Sequence, residues 1–235
     1  MDSHPLLLSP ALPAELLHYI IHQCAFPTTL VICSTRADFL SSLSQNIRDQ
    51  QQQQQNQKTQ YLQTPKTTAA TELLAAPLYQ VAVARHIRIV FIPTVSHLRA
   101  FLSVFSVQDS KVPAPPLTSP GLPTSGKRSL LLVYGFLDMH RGTSEWSAQG
   151  LSNTAAVFVE TARRVGFRAV AVEPRGAPEE GRQTGMAGLL TEMIPILSGG
   201  SRRRTGPDLD GSGWAGRTVD VQRVLGRWFR FQLGD

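Results

Sequence analysis

The chain has 235 residues, 42% of them hydrophobic and 17% charged, with a net charge of +6. That length fits one domain, or one domain carrying large insertions. The positive excess suits an acidic partner such as nucleic acid, but it is thinly spread, which favours an ordinary surface with scattered arginines. The two cysteines, Cys24 and Cys33, lack metal or redox spacing and read as buried free thiols of a reducing compartment. No apolar run reaches the ~18 residues of a membrane span. The opening MDSHPLLLSPALP has no basic stretch and is broken by prolines, so it reads poorly as a signal peptide.

In chain order, the first predicted helix runs from Pro13 to Ala25. Pro13 suits a first helical position, Glu15 suits the positive end of the dipole, and Leu16, Leu17, Ile20 and Ile21 form one apolar face. Thr29 to Cys33 reads as a strand, followed by a helix that Ser34 or Thr35 caps. Residues 45–70 contain six consecutive glutamines, Gln50 to Gln55, and read as a disordered insertion. Glu72 to Arg85 is helical in pattern, with Pro77 as a kink or a restart. Ile87 to Ile92 is a strand, and Ser96 to Phe105 the helix after it. Residues 107–128 are a proline-rich linker.

The clearest unit follows. Leu130 to Tyr134 is an apolar strand, Leu151 to Val165 has helical apolar spacing, Gly166 stops that helix, and Ala169 to Val172 is a second buried strand. Strand, helix and strand of these lengths make a βαβ unit and imply a parallel sheet. Residues 175–213 are a Gly/Arg/Ser-rich flexible basic region with a short helical pattern at Met186 to Leu197. The end of the chain alternates like a C-terminal β-hairpin turning near Leu225-Gly226. Trp228, Phe229 and Phe231 suit packing under the sheet better than an interface.

Chemistry is harder to place. Gly121 to Lys127 fits the first seven positions of the phosphate-loop pattern, but Arg128 stands where a magnesium-binding hydroxyl belongs and Ser129 comes one residue late. The pattern also precedes a strand, whereas a phosphate loop follows a strand and opens a helix. After Leu130–Tyr134 comes Gly135 rather than an acid. His18 and His22 are four apart but lack a third ligand and read as structural; His140 reads as a loop histidine. No catalytic residues, cofactor site or metal site is expected. For Arg202, Arg203 and Arg204, with Lys127 and Arg128, two readings stay open: neutralising nucleic-acid phosphates, or a solvated loop that keeps the protein soluble.

The segment His140 to Leu151, with its helix and the strand Arg168 to Val172, resembles the central part of RecA-like recombinases and their paralogues. Trp146-Ser147 stands for the family's aromatic-Ser pair and Gln149 for its helix-start glutamine; Trp214 to Arg223 is similar to its late strand. The resemblance implies a RecA-like three-layer α/β sandwich with a mainly parallel central sheet. The helix at Pro13 falls where the helix after the phosphate loop belongs, so the resemblance implies that the preceding strand and loop are missing. With Gly135 in place of the Walker B acid, it implies an ATPase-dead subunit without cofactor. The implied role is that of a Shu-type accessory protein in homologous recombination and DNA repair. It would be a nuclear hetero-oligomer with a related RecA-like subunit, touching DNA through Arg202–Arg204. The alternative is a cytoplasmic structural subunit of Elongator type in tRNA modification.

Overall fold

Four apolar runs expected as strands lie side by side in one sheet. The computed structural model describes residues 4–23, 25–58, 73–110, 129–176, 185–197 and 217–232. In chain order its elements are β1 (Leu6–Ala11), α1 (Pro13–Gln23), β2 (Ala25–Ile32), α2 (Arg36–Lys58), α3 (Leu78–Ala84), β3 (Ile87–Phe91) and α4 (Val95–Val104). They continue as β4 (Ser129–Tyr134), α5 (Ala148–Val165), β5 (Arg168–Pro174), α6 (Met186–Leu190), β6 (Met193–Pro195), β7 (Thr218–Asp220), α7 (Val221–Leu225) and β8 (Arg230–Gln232). The main sheet runs β3-β2-β4-β5-β1-β8, and every pairing in it is parallel.

Period-two alternation sends the side chains to two cores. On one face Leu6, Leu30, Leu132 and Val170 pack with Leu16 and Ile20 of α1 and Phe39 of α2. On the other, Leu7, Val31, Leu131 and Ala171 pack with Leu98 and Leu102 of α4, Leu151, Ala155 and Phe158 of α5, and Val221 and Leu225 of α7. The central strands are thus buried on both sides, which is why they read as unbroken apolar runs. Connections running toward β3 carry α1 and α2 on the first face. Those returning toward β8 carry α4, α5 and α7 on the second, the placement that right-handed crossovers require. This is a three-layer α/β sandwich of RecA-like type.

Local chemistry sets the helix ends. The Thr35 hydroxyl accepts Asp38 N–H at 3.1 Å and opens α2. Ser147 accepts Gly150 N–H at 3.0 Å and opens α5, and Gly166 closes it in the left-handed region at φ +73. Arg164 of α5 reaches three carbonyls at the end of α4, those of Leu102, Ser103 and Phe105, and so ties the two helices together.

Four expectations are corrected. Leu6–Ala11 is a strand despite Pro10: it lies inside the sheet between β5 and β8, so the strand expected to be missing is present. The glutamine tract is not a break at residue 45: α2 continues through Gln50–Gln55 to Lys58, because glutamine is a good helix former that needs no burial. Residues 59–70, the rest of that insertion, lie outside the described residues, as do residues 71–72 and residues 111–128 of the linker, which opens with a 3-10 turn at Val107–Ser110. The hairpin at Leu225-Gly226 does not form. Asp220 caps a helical turn instead, and the antiparallel pair is β6 with β7, while β8 joins β1 in parallel. Finally, Met186–Leu197 is helix only to Leu190, after which Met193–Pro195 forms β6. Pro77 marks a restart: it precedes α3 directly. Phe229 is core, 3% exposed, with Trp228 and Phe231 packed against the same cluster.

Candidate functional site at the carboxyl edge of the sheet

In an open parallel sheet, ligands bind beyond the carboxyl ends of strands, where neighbouring connections leave toward opposite faces. Here β1 leads to α1 on one face and β5 leads to the other, so the crevice lies between Ala11 and Pro174. A phosphate loop needs several free backbone N–H groups at this point. The chain offers almost none. A single residue, Leu12, separates β1 from α1. Its N–H donates to Glu15 Oε2 at 2.9 Å, Pro13 has no N–H, and Ala14 N–H donates to Asn46 Oδ1 at 3.2 Å.

Arg175 locks the crevice from the β5 side. Its guanidinium meets both Glu15 oxygens at 3.0 Å and donates to the Pro10 carbonyl at 3.3 Å. The Tyr134 hydroxyl donates to the Ala11 carbonyl at 2.9 Å. A carboxylate and its arginine therefore stand where a nucleotide's phosphates would. The adjoining cleft of about 380 Å³ is lined by Leu8, Leu16, Tyr19 and Val172 together with Glu15 and Arg175.

The end of β4 is equally altered. Gly135 sits at φ +85, where a Cβ would meet only ordinary contacts, Cys33 Cβ at 3.5 Å and the Pro174 ring at 3.8 Å, but the left-handed backbone would strain an acid at this position. The buried acid is one strand over. Glu173, 1% exposed, accepts the N–H groups of Leu137 at 2.8 Å and Asp138 at 3.3 Å. It holds the turn after β4 in place, and burial pushes its pKa up to about 7. Asp138 pairs with Arg141 at 3.3 Å, and Arg141 also binds Glu192 at 2.6 Å and lies over the Trp146 ring. Burial, with the Glu173 and Asp138 charges beside it, drives the Cys33 thiol well up, away from nucleophilic thiolate.

His140 is fully buried. Its Nδ1 lies 2.7 Å from the Phe136 carbonyl and its Nε2 3.0 Å from the Thr154 hydroxyl, while burial lowers its pKa, so it is a neutral structural ring. Arg99 completes the cluster by donating to Thr154, Glu145 and the Gly150 carbonyl. His18 and His22 have ring centroids 4.2 Å apart on α1, and His22 contacts the Tyr79 hydroxyl. Among the described residues no three His, Cys, Asp or Glu side chains gather as metal ligands. Nor is any helix there long and apolar enough to cross a membrane.

Lys127, Arg128, Arg202, Arg203 and Arg204 lie outside the described residues. The Glu15–Arg175 lock is not legible in the sequence, because its residues are 160 apart and neither belongs to a motif. The signal within reach was the short spacing between Leu6–Leu8 and Pro13, which leaves no length for a phosphate loop. No family model matches the chain, and no curated protein matches its sequence.

Proposed function

We propose that this protein is a non-catalytic RecA-like accessory subunit that supports homologous recombination and DNA repair by assembling with a related subunit and touching DNA. The observation that carries the reading is the one-residue β1–α1 turn sealed by Glu15 and Arg175. So short and closed a turn supports a role in assembly rather than in ATP turnover. Support for a protein partner comes from the β3 side. Among the described residues β3 pairs only with β2, Ile89 on it is exposed, and Leu78, Tyr79 and Val81 of the preceding α3 are exposed apolar side chains. A related α/β subunit in a nuclear hetero-oligomer would cover them.

The test has two arms. Purified protein, alone and with its co-purifying partner, is retained on single- or double-stranded DNA at low salt, and retention falls steeply as salt rises. Affinity capture from the native cell recovers recombinase paralogues. No retention in any form defeats the DNA contact. Recovery of Elongator subunits instead assigns the chain to the structural role in tRNA modification.

A further inference from the structure

The α7–β8 corner carries a concentration of positive charge that the sealed crevice does not use. Residues 217–232 hold Arg217, Arg223, Arg227 and Arg230 against a single acid, Asp220, a net charge of +3 in a chain whose total is +6. All four arginines are exposed, and the ion pairs among the described residues involve none of them. Asp220 is already engaged: its Oδ1 accepts Arg223 N–H at 2.6 Å.

Arg223 and Arg227 flank an open groove of about 470 Å³, lined also by Asp220, Gln222, Gly226 and Phe231. Phe231 points to the same face as Leu7, beside which it pairs, and so toward α7. The ring is half-buried against the core, and Gly226 puts no side chain over its outer edge: a Cβ there would stand 3.6 Å from Cε2 and 3.7 Å from Cζ. Beyond β8 the sheet has no further strand among the described residues, so the groove opens on a free edge.

We propose that this groove binds single-stranded nucleic acid, with Arg223 and Arg227 on backbone phosphates and the Phe231 ring presented to a base. The inference rests on the DNA contact proposed above and assigns it a built surface. Guanidinium groups match phosphate oxygens in a two-pronged geometry and are weakly hydrated, so unpaired surface arginines bind phosphate well. Cations beside an aromatic ring in an open slot are the equipment of single-strand binding. A duplex keeps its bases stacked away from such a ring, and the acidic side chains of a peptide bring charge without a ring, whereas a single strand brings both at every step.

The experiment measures fluorescence anisotropy of a labelled oligothymidylate with the full chain across a salt series. Arg223→Gln/Arg227→Gln is compared with Arg202→Gln/Arg203→Gln/Arg204→Gln, and the single variants Arg223→Gln and Arg227→Gln are measured alongside. Loss of two phosphate contacts weakens binding about tenfold at low salt and flattens the log–log salt slope by about 1.4, or ~0.7 per contact on a single strand. Each single variant gives about half that change in slope, and thermal unfolding midpoints stay at the wild-type value because both side chains are exposed. Phe231→Leu weakens binding without changing the slope. If the double variant binds as wild type while the triple variant loses affinity, the groove is refuted and the DNA contact stands. If wild type, alone and with its co-purifying partner, binds no nucleic acid at low salt, both fail. Preference for duplex, or equal competition by polyglutamate, overturns the single-strand assignment.

Discussion

Arg175 grips Glu15 at two points, 3.0 Å at each oxygen, across the carboxyl ends of β5 and β1. In a parallel α/β sheet this is where an anionic ligand would be received. The Glu15 carboxylate holds the guanidinium there, and the turn that Pro13 cuts to one residue leaves no loop of N–H groups to wrap a phosphate.

Removing the lock therefore costs little and opens nothing. Both side chains are partly exposed, so Arg175→Ala lowers stability by about 1 kcal/mol or less. Glu15→Ala also removes an acceptor for Leu12 N–H and costs about 1 kcal/mol. Urea titrations read both values. Neither variant gains nucleotide affinity, since the turn stays one residue long.

Glu173 makes stability depend on pH. Its folded pKa of about 7 lies above the ordinary 4.5, so between these values the folded chain holds a proton that the unfolded chain has lost. Stability from this group is full below about pH 4.5 and is lost as pH rises through 7, by up to about 3 kcal/mol. Glu173→Gln removes that slope. His140, whose pKa is lowered by burial, acts in the opposite sense below its ordinary 6.5. Comparing wild type with Glu173→Gln at each pH cancels its effect. Denaturation at pH 5 and pH 8 shows the variant gaining on wild type at the higher pH.

Gly150 allows no side chain. A Cβ would lie 2.3 Å from the Glu145 carbonyl oxygen, a backbone atom that cannot swing aside, at the point where Arg99 ties α4 to α5. Gly150→Ala is expected to cost about 2–4 kcal/mol, read as a fall in the unfolding midpoint.

Phe229 anchors β8. It is buried against Phe136 and Phe158, so Phe229→Ala costs about 3–5 kcal/mol and raises amide exchange in 230–232 before the central strands open. A value below about 1 kcal/mol would mark the ring as an interface side chain instead.

The fold was legible where burial on both faces writes a continuous apolar run, as in Leu130–Tyr134 and Ala169–Val172. It was obscured where a proline sits in a strand, as Pro10 does in β1, and where a helix continues through a polar run without an apolar stripe, as α2 does through Gln50–Gln55. The alternation of Val219, Val221 and Arg223 looked like a strand, but the Asp220 carboxylate offers Arg223 N–H a local acceptor and turns the chain into α7 instead. The site was less legible still. Gly135 showed that an acid is absent, but Glu173, Glu15 and Arg175 act through tertiary contacts that no spacing in the sequence records.

Whether this α/β sandwich is closed to nucleotide is read by equilibrium titration of the full chain with a fluorescent ATP analogue and magnesium. No saturable binding is expected up to millimolar nucleotide, and no ATP turnover that Lys127→Ala would alter. Saturable binding in the micromolar range that Lys127→Ala abolishes would contradict that closure.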